Sequence, residues 1–173
     1  MSLKDAFMEG SLNIKVNVMK EEDWPAVKSI YQEGIDTKNA TFETVAPDWN
    51  EWDETHLKFC RFVSINGDHI IGRAALSPVS ERCIYSGVAE VSIYVSSAAR
   101  GNGVGKTLLD NLITESEKKD IWTLPAGIFP ENRSSIRLHA QAGFREVGYR
   151  EKIGKRYGLW RDVIVFERRS KNF

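Results

Sequence analysis

The residues whose types and spacing suggest chemistry lie in "RGNGVGKT", Arg100 to Thr107. Three glycines alternate with small or polar residues, between an arginine and a lysine, after an apolar stretch and before an amphipathic one. Glycines let a backbone approach a ligand closely. The first N–H groups of a helix have no partner inside it, and the helix dipole adds partial positive charge there. Such a segment holds an anion. A nucleotide-triphosphate loop would need a glycine where Arg100 stands and an acidic residue closing a separate apolar strand, and neither is present. The dinucleotide fingerprint fails because Lys106 occupies its last glycine position. What remains is R-x-x-G-x-G, a cradle suited to pyrophosphate without magnesium, or else a purely structural glycine turn. No G-x-S-x-G occurs, and neither Cys60 nor Cys83 has a paired base in view, which argues against a covalent acyl-enzyme.

These residues need elements to position them. "NIKVNVM" alternates Ile14, Val16 and Val18, a half-buried strand. "EEDWPAVKSIYQEGI" reads as a helix with Asp23 as cap, Pro25 in the first turn and Val27, Ile30 and Tyr31 as its apolar stripe. "APDWNEWDETHLKFC" repeats the arrangement, with Asp48 as cap and Trp49, Trp52, Leu57 and Cys60 on or near one face. "RFVSINGDHIIGRAAL" predicts a hairpin turning at Asn66-Gly67 in a type I′ turn. "GVAEVSIYV" puts Ala89, Val91, Ile93 and Val95 on one strand face and Glu90, Ser92 and Tyr94 on the other. "GVGKTLLDNLITESEKK" is a helix with Leu108, Leu109, Leu112 and Ile113 inward, and "IWTLPAGIF" a strand. "NRSSIRLHAQAGF" is a short helix closed by Gly143, and "REVGYREKI" and "WRDVIVFERR" form a last strand pair. The order β-α-α-β-β-β-α-β-α-β-β defines an α/β domain with a mixed sheet.

The 173 residues suit a single domain, spanning 12–173 after a patternless leader at 1–11. Lysine plus arginine and aspartate plus glutamate both number 24, with a pI near 6.8, which speaks against a nucleic-acid-coating protein. No membrane-spanning run or signal peptide is visible, and two lone cysteines read as reduced thiols, so a cytoplasmic location is expected.

Arg100 to Gly105 resembles motif A of the GNAT superfamily of acetyl-coenzyme A-dependent N-acetyltransferases. "ATFET", "AEVSIYV", "ENRSSIRLHAQAGFREVG" and "KRYGLWRDV" resemble blocks of its phosphinothricin acetyltransferase-like branch, over roughly residues 14–168. The resemblance implies a GNAT fold: a central mixed, mostly antiparallel twisted sheet, flanked by helices, whose fourth and fifth strands splay to admit acetyl-coenzyme A. It implies no metal. Backbone groups of Ile93, Tyr94 and Val95 would meet the pantetheine arm and thioester. Arg100, Gly101, Asn102, Gly103, Val104, Gly105 and Lys106 would cradle the pyrophosphate. Asn132, which also reads as a helix cap, and Ser135 would touch the cofactor from the following helix.

Glu90 matches the glutamate of the family's strand and would be the base that takes a proton from the amine. His139 matches a histidine at the position where many relatives carry a tyrosine acid. It would serve as general acid or as a packing histidine, and "LHA" here replaces the family's "LHE". His56 and His69 receive no role. The family acetylates small amino acids and analogues of the phosphinothricin, methionine sulfoximine and methionine sulfone type. A free amino acid needs its carboxylate held, for which Arg73, Arg82 and Arg161 are candidates. Phe42, Glu43, Tyr157 and Trp160 would line the remaining walls. Relatives often form homodimers. The alternatives are an enzyme for polyamines or protein N-termini, and a non-catalytic acyl-coenzyme A-binding module.

Overall fold

Residues 13–173 are described by a computed structural model, and the leader at 1–11 lies outside them. In chain order the elements are β1 (Lys15–Val18), α1 (Trp24–Asp36), α2 (Trp49–Thr55), β2 (Phe62–Asn66), β3 (His69–Pro78), β4 (Ala89–Val95), α3 (Val104–Glu117), β5 (Thr123–Ile128), α4 (Arg133–Gln141), β6 (Arg145–Arg156) and β7 (Leu159–Arg169). This is the order read from the sequence. The strands form two antiparallel leaves, β1-β2-β3-β4 and β5-β7-β6. A single parallel bridge, Val88 to Thr123, joins them. The Trp122 and Thr123 N–H groups both donate to the Gly87 carbonyl there. A Cβ on Gly87 would fall 2.0 Å from the Trp122 ring, so only glycine fits this seam.

Two apolar clusters clamp the first leaf. On one face α3 buries Leu108, Leu109 and Leu112 completely, against Ile71, Ala74 and Leu76 of β3 and Phe166 of β7. Each leucine contributes about 2–3 kcal/mol by leaving water. On the other face α1 and α2 bury Trp24, Val27, Tyr31 and Trp52 over Val63 and Ala75. Gly34 of α1 makes room for Tyr94, whose ring a Cβ would strike at 2.5 Å.

Four local expectations are corrected. The β2–β3 loop is Gly67-Asp68, since Asn66 still pairs with His69, and only Gly67 has positive φ. That is the signature of a type II′ turn, which asks for glycine first. The apolar alternation of β1 stops short: Val18 is 67% exposed and Met19 turns into the core instead. Asp23 does not cap α1; its carboxylate accepts from the Lys20 N–H and closes the preceding 3-10 turn. Asp48 does cap α2, exchanging hydrogen bonds with Glu51, but α2 ends at Thr55, so Leu57 and Cys60 lie beyond it. There the Leu57 N–H pairs with the Leu76 carbonyl on β3, which draws the chain into an extended path.

Candidate active site

Beyond the Val88–Thr123 bridge, no described strand pairs with the outer side of β4, and β5 splays away from it. The Ser96 N–H bonds Ile71 on β3, so by strand alternation the backbone groups of Ile93 and Val95 face the gap. The Arg100 Nε donates to the Val95 carbonyl at 3.3 Å from that side. At the gap's end Gly101 and Gly103 take φ of 78° and 80°, and Gly103 caps α3 without a side chain. The first helical bond is Thr107 N–H to Gly103, leaving Val104, Gly105 and Lys106 N–H groups outside that ladder. No acidic residue occupies the first turn. Gly105 lies under Leu138 of α4, 3.3 Å from where a Cβ would sit, so this glycine serves close packing. Lys106 pairs with Asp110 one turn on.

A cavity of about 540 Å³ runs along this surface. Of the expected cofactor residues, Ile93, Tyr94, Val95, Arg100, Gly101, Gly103, Val104, Gly105, Lys106, Asn132 and Ser135 all line it. Asn102 does not: its amide turns back to the Ala99 and Arg100 carbonyls and braces the loop. Asn132 caps α4, accepting from the Ser135 N–H at 3.3 Å. The arrangement fits a diphosphate with a long apolar-polar arm: free N–H groups, left-handed glycines and basic side chains at one end, unpaired strand backbone along the rest.

A second cavity, of about 880 Å³, lies between the leaves. The two meet at Ala40, Ile93, Tyr94, Asn132, Ser135 and His139. Glu90 reaches across the widening gap; its Oε1 lies 3.6 Å from where a Gly127 Cβ would be. The carboxylate opens to solvent through the cleft mouth, but protein on its other sides raises its pKa. The Gly127 backbone hydrogen bond and Arg150 oppose that rise. Burial of this kind makes a carboxylate a better proton acceptor.

His139 is buried at the junction, edge-on to Phe144 at 5.0 Å. Its Nδ1 lies 2.8 Å from the Ser135 carbonyl, so the proton sits on Nδ1 and the lone pair on Nε2. Burial lowers its pKa, only partly offset by that hydrogen bond. A neutral ring with an unprotonated Nε2 accepts a hydrogen bond at neutral pH and has no proton there to donate, which does not suit the acid role.

Arg73 of β3 lines the second cavity and is 1% exposed. Its guanidinium packs against the rings of Tyr94, Tyr31 and Trp52 at 4.6, 5.2 and 5.5 Å. Nη1 donates to Ser92 Oγ at 2.6 Å, Nε has no partner, and no carboxylate among the described residues pairs with it. Burial lowers its pKa. Phe42 and Glu43 line the same cavity, Phe42 edge-on to Phe129 at 4.9 Å. The other candidates lie elsewhere. Arg82 sits on the outer β3–β4 connection beside Tyr85, away from both cavities. Tyr157 and Trp160 are exposed on the β6–β7 hairpin and line neither cavity. Arg161 instead holds the Lys38 carbonyl at 2.7 Å, steadying the loop that carries Phe42. Sequence reasoning passed over His56, which lines the cavity beside Arg73. Its signal was the spacing of four from Trp52, with His56 directly after the helix end.

A sheet split at one bridge, with an anion cradle at the split and a carboxylate across it, suits a transferase that uses a diphosphate-bearing donor. The acetyltransferase (GNAT) family profile matches residues 22–144. The phosphinothricin N-acetyltransferase of Alcaligenes faecalis is 31% identical over 159 residues, covering 88% of this chain and 81% of that protein. An L-methionine sulfoximine/L-methionine sulfone acetyltransferase of Pseudomonas aeruginosa is 26% identical, over 84% and 88%. Among solved structures, a ribosomal-protein-alanine N-acetyltransferase from Brucella melitensis superposes with a TM-score of 0.84 at 29% identity, covering 90% and 99%. A phosphinothricin acetyltransferase from Sinorhizobium meliloti in complex with AcCoA gives 0.81 at 28%, covering 91% and 89%. The chain belongs to the GNAT acetyltransferase family.

Proposed function

We propose that this protein transfers an acetyl group from acetyl-coenzyme A directly to the primary amine of a small amino acid or analogue of the phosphinothricin or methionine sulfone type. The donor supplies an activated thioester. The α3 N-terminus and Arg100 would hold its pyrophosphate, and the gap-facing backbone of Ile93 and Val95 its arm. Glu90, its pKa raised by burial, would take the amine proton, directly or through water. His139, with Nε2 free, would accept a hydrogen bond at the junction and orient what lies there.

One observation carries the substrate class. Arg73 is a buried cation without a carboxylate, on the wall of the cavity that meets the cofactor groove. An unpaired buried charge is costly, and a substrate carboxylate would relieve that cost. Polyamines offer no such anion. The test compares methionine sulfone with its methyl ester and its decarboxylated amine, following free thiol release. The acid should be acetylated at least about 30-fold faster, the worth of one charge-assisted pair. Equal rates for the decarboxylated amine would refute the carboxylate clamp.

The protein is also proposed to be a cytoplasmic homodimer. Free thiols at Cys60 and Cys83 suit a reducing compartment. β6 is the edge of its leaf and exposed along most of its length, Val147 and Tyr149 included. Covering such an edge suits self-association; sedimentation should give twice the chain mass.

A further inference from the structure

His56 lines the second cavity beside Arg73, and its surroundings fix its chemistry. The ring stacks on Trp52, centroids 4.2 Å apart and planes 20° from parallel. Its Nδ1 lies 2.7 Å from the Trp52 carbonyl oxygen, an atom that only accepts. The proton therefore sits on Nδ1 and the lone pair on Nε2. Thr55 Oγ1, 3.0 Å from the same nitrogen, adds nothing to Nε2. Among the described residues Nε2 has no hydrogen-bond partner, and the ring lines the same cavity as Arg73. Burial and the charge of Arg73 push its pKa down to about 4, while the Trp52 hydrogen bond and Asp53 oppose that fall. The ring is thus a neutral acceptor at neutral pH, beside a guanidinium that can only donate.

We propose that His56 Nε2 is a specificity determinant of the amine substrate's cavity, accepting a hydrogen bond from an N–H or O–H on the substrate side chain while Arg73 holds its anionic group. This rests on the amino-acid reading above. A side chain that offers only oxygen acceptors at that place sets lone pair against lone pair, and one that offers a donor satisfies Nε2. Selection of this kind is strong because the wrong ligand leaves a polar group unpaired in a desolvated pocket.

Methionine sulfoximine and methionine sulfone make the comparison. They have nearly the same shape, but one carries a sulfur-bound N–H where the other has oxygen. Wild-type protein should favour the sulfoximine in kcat/KM by about 10-fold or more, the size of one such hydrogen bond. His56→Phe keeps an aromatic ring on Trp52 and should bring the ratio close to one. The KM for acetyl-coenzyme A should hold, as a control for an intact cofactor groove. His56→Gln, whose amide oxygen reaches about as far as Nε2, should recover part of the preference. A wild-type ratio near one overturns the inference without need of any variant, as does a ratio that His56→Phe leaves unchanged. Either result leaves the amino-acid reading standing. If wild-type protein acetylates neither compound, both readings fall together.

Discussion

Replacing Gly103 with aspartate should move stability and cofactor binding in different ways. Gly103 sits at φ 80°, where an added Cβ meets nothing within 4 Å. The backbone strain of a non-glycine residue there is about 1 kcal/mol, since aspartate tolerates the left-handed region better than most. Against this, aspartate at a helix N-terminus gains about 0.5–1 kcal/mol from the free N–H groups and the dipole. The fold should lose less than about 1 kcal/mol, a few degrees in Tm. The ligand meets the opposite balance. At an effective dielectric constant of roughly 40 and a separation of about 5 Å, one unit charge repels another by about 1.7 kcal/mol. A pyrophosphate with two charges loses about 3 kcal/mol, roughly 100-fold in affinity. The aspartate also competes for the N–H groups the phosphate needs. Calorimetry with coenzyme A, beside a thermal melt, separates the two effects. Gly103→Ala, which adds strain without charge, should lose far less affinity than Gly103→Asp, and the gap between them should narrow in high salt. Unchanged affinity in a folded Gly103→Asp protein would refute the cradle.

Glu90→Gln should keep coenzyme A affinity and lower turnover by about 100-fold or more. The deficit should shrink at high pH, where more of the amine is already deprotonated; wild-type rates at every pH would remove Glu90 from the chemistry. Because burial raises its pKa, the wild-type rate should fall as acidification protonates Glu90, at a higher pH than for a free carboxylate. His56 gives a stability prediction of definite sign. Its folded pKa, about 4, lies below the unfolded value near 6.5, so protons favour the unfolded chain between them. Stability should drop by roughly 3 kcal/mol as pH falls from about 6.5 to about 4, and denaturant melts of His56→Phe should lack that part of the slope.

The sequence carried the element order because each helix kept its own period and most breaks had a glycine, proline or cap nearby, as Gly103 opens α3 and Gly143 follows α4. The cradle was legible for the same reason: it needs glycines at Gly101 and Gly103 for their positive φ and at Gly105 for close packing. The misplacements share a different cause. α2 stops at Thr55 because Leu57 pairs with Leu76, nineteen positions on, and no local pattern announces that. Arg82 and Tyr157 stood near motif blocks in sequence, but the connections carrying them run outside the cleft. Glu43 and Phe42 reach it because arginines from the far hairpin hold their loop, the Arg156 Nη2 donating to the Ile35 and Glu43 carbonyls. The proton positions on His139 and His56 follow from single carbonyls, visible only once the chain has folded.

The strand order of the second leaf has a consequence in time. β7, the last strand in the chain, lies between β5 and β6. Neither neighbour can form its ladder until β7 exists, whereas β1 to β4 all lie within the first 95 residues and pair among themselves, β1 with β2 across α1 and α2. During synthesis the first leaf and α3 can therefore settle early, with the anion cradle already shaped. The wall opposite Glu90 must wait for Leu159–Arg169 to leave the ribosome and insert. The cofactor groove is built before the cleft that uses it, and a nascent chain should acquire affinity for coenzyme A before it acquires catalysis.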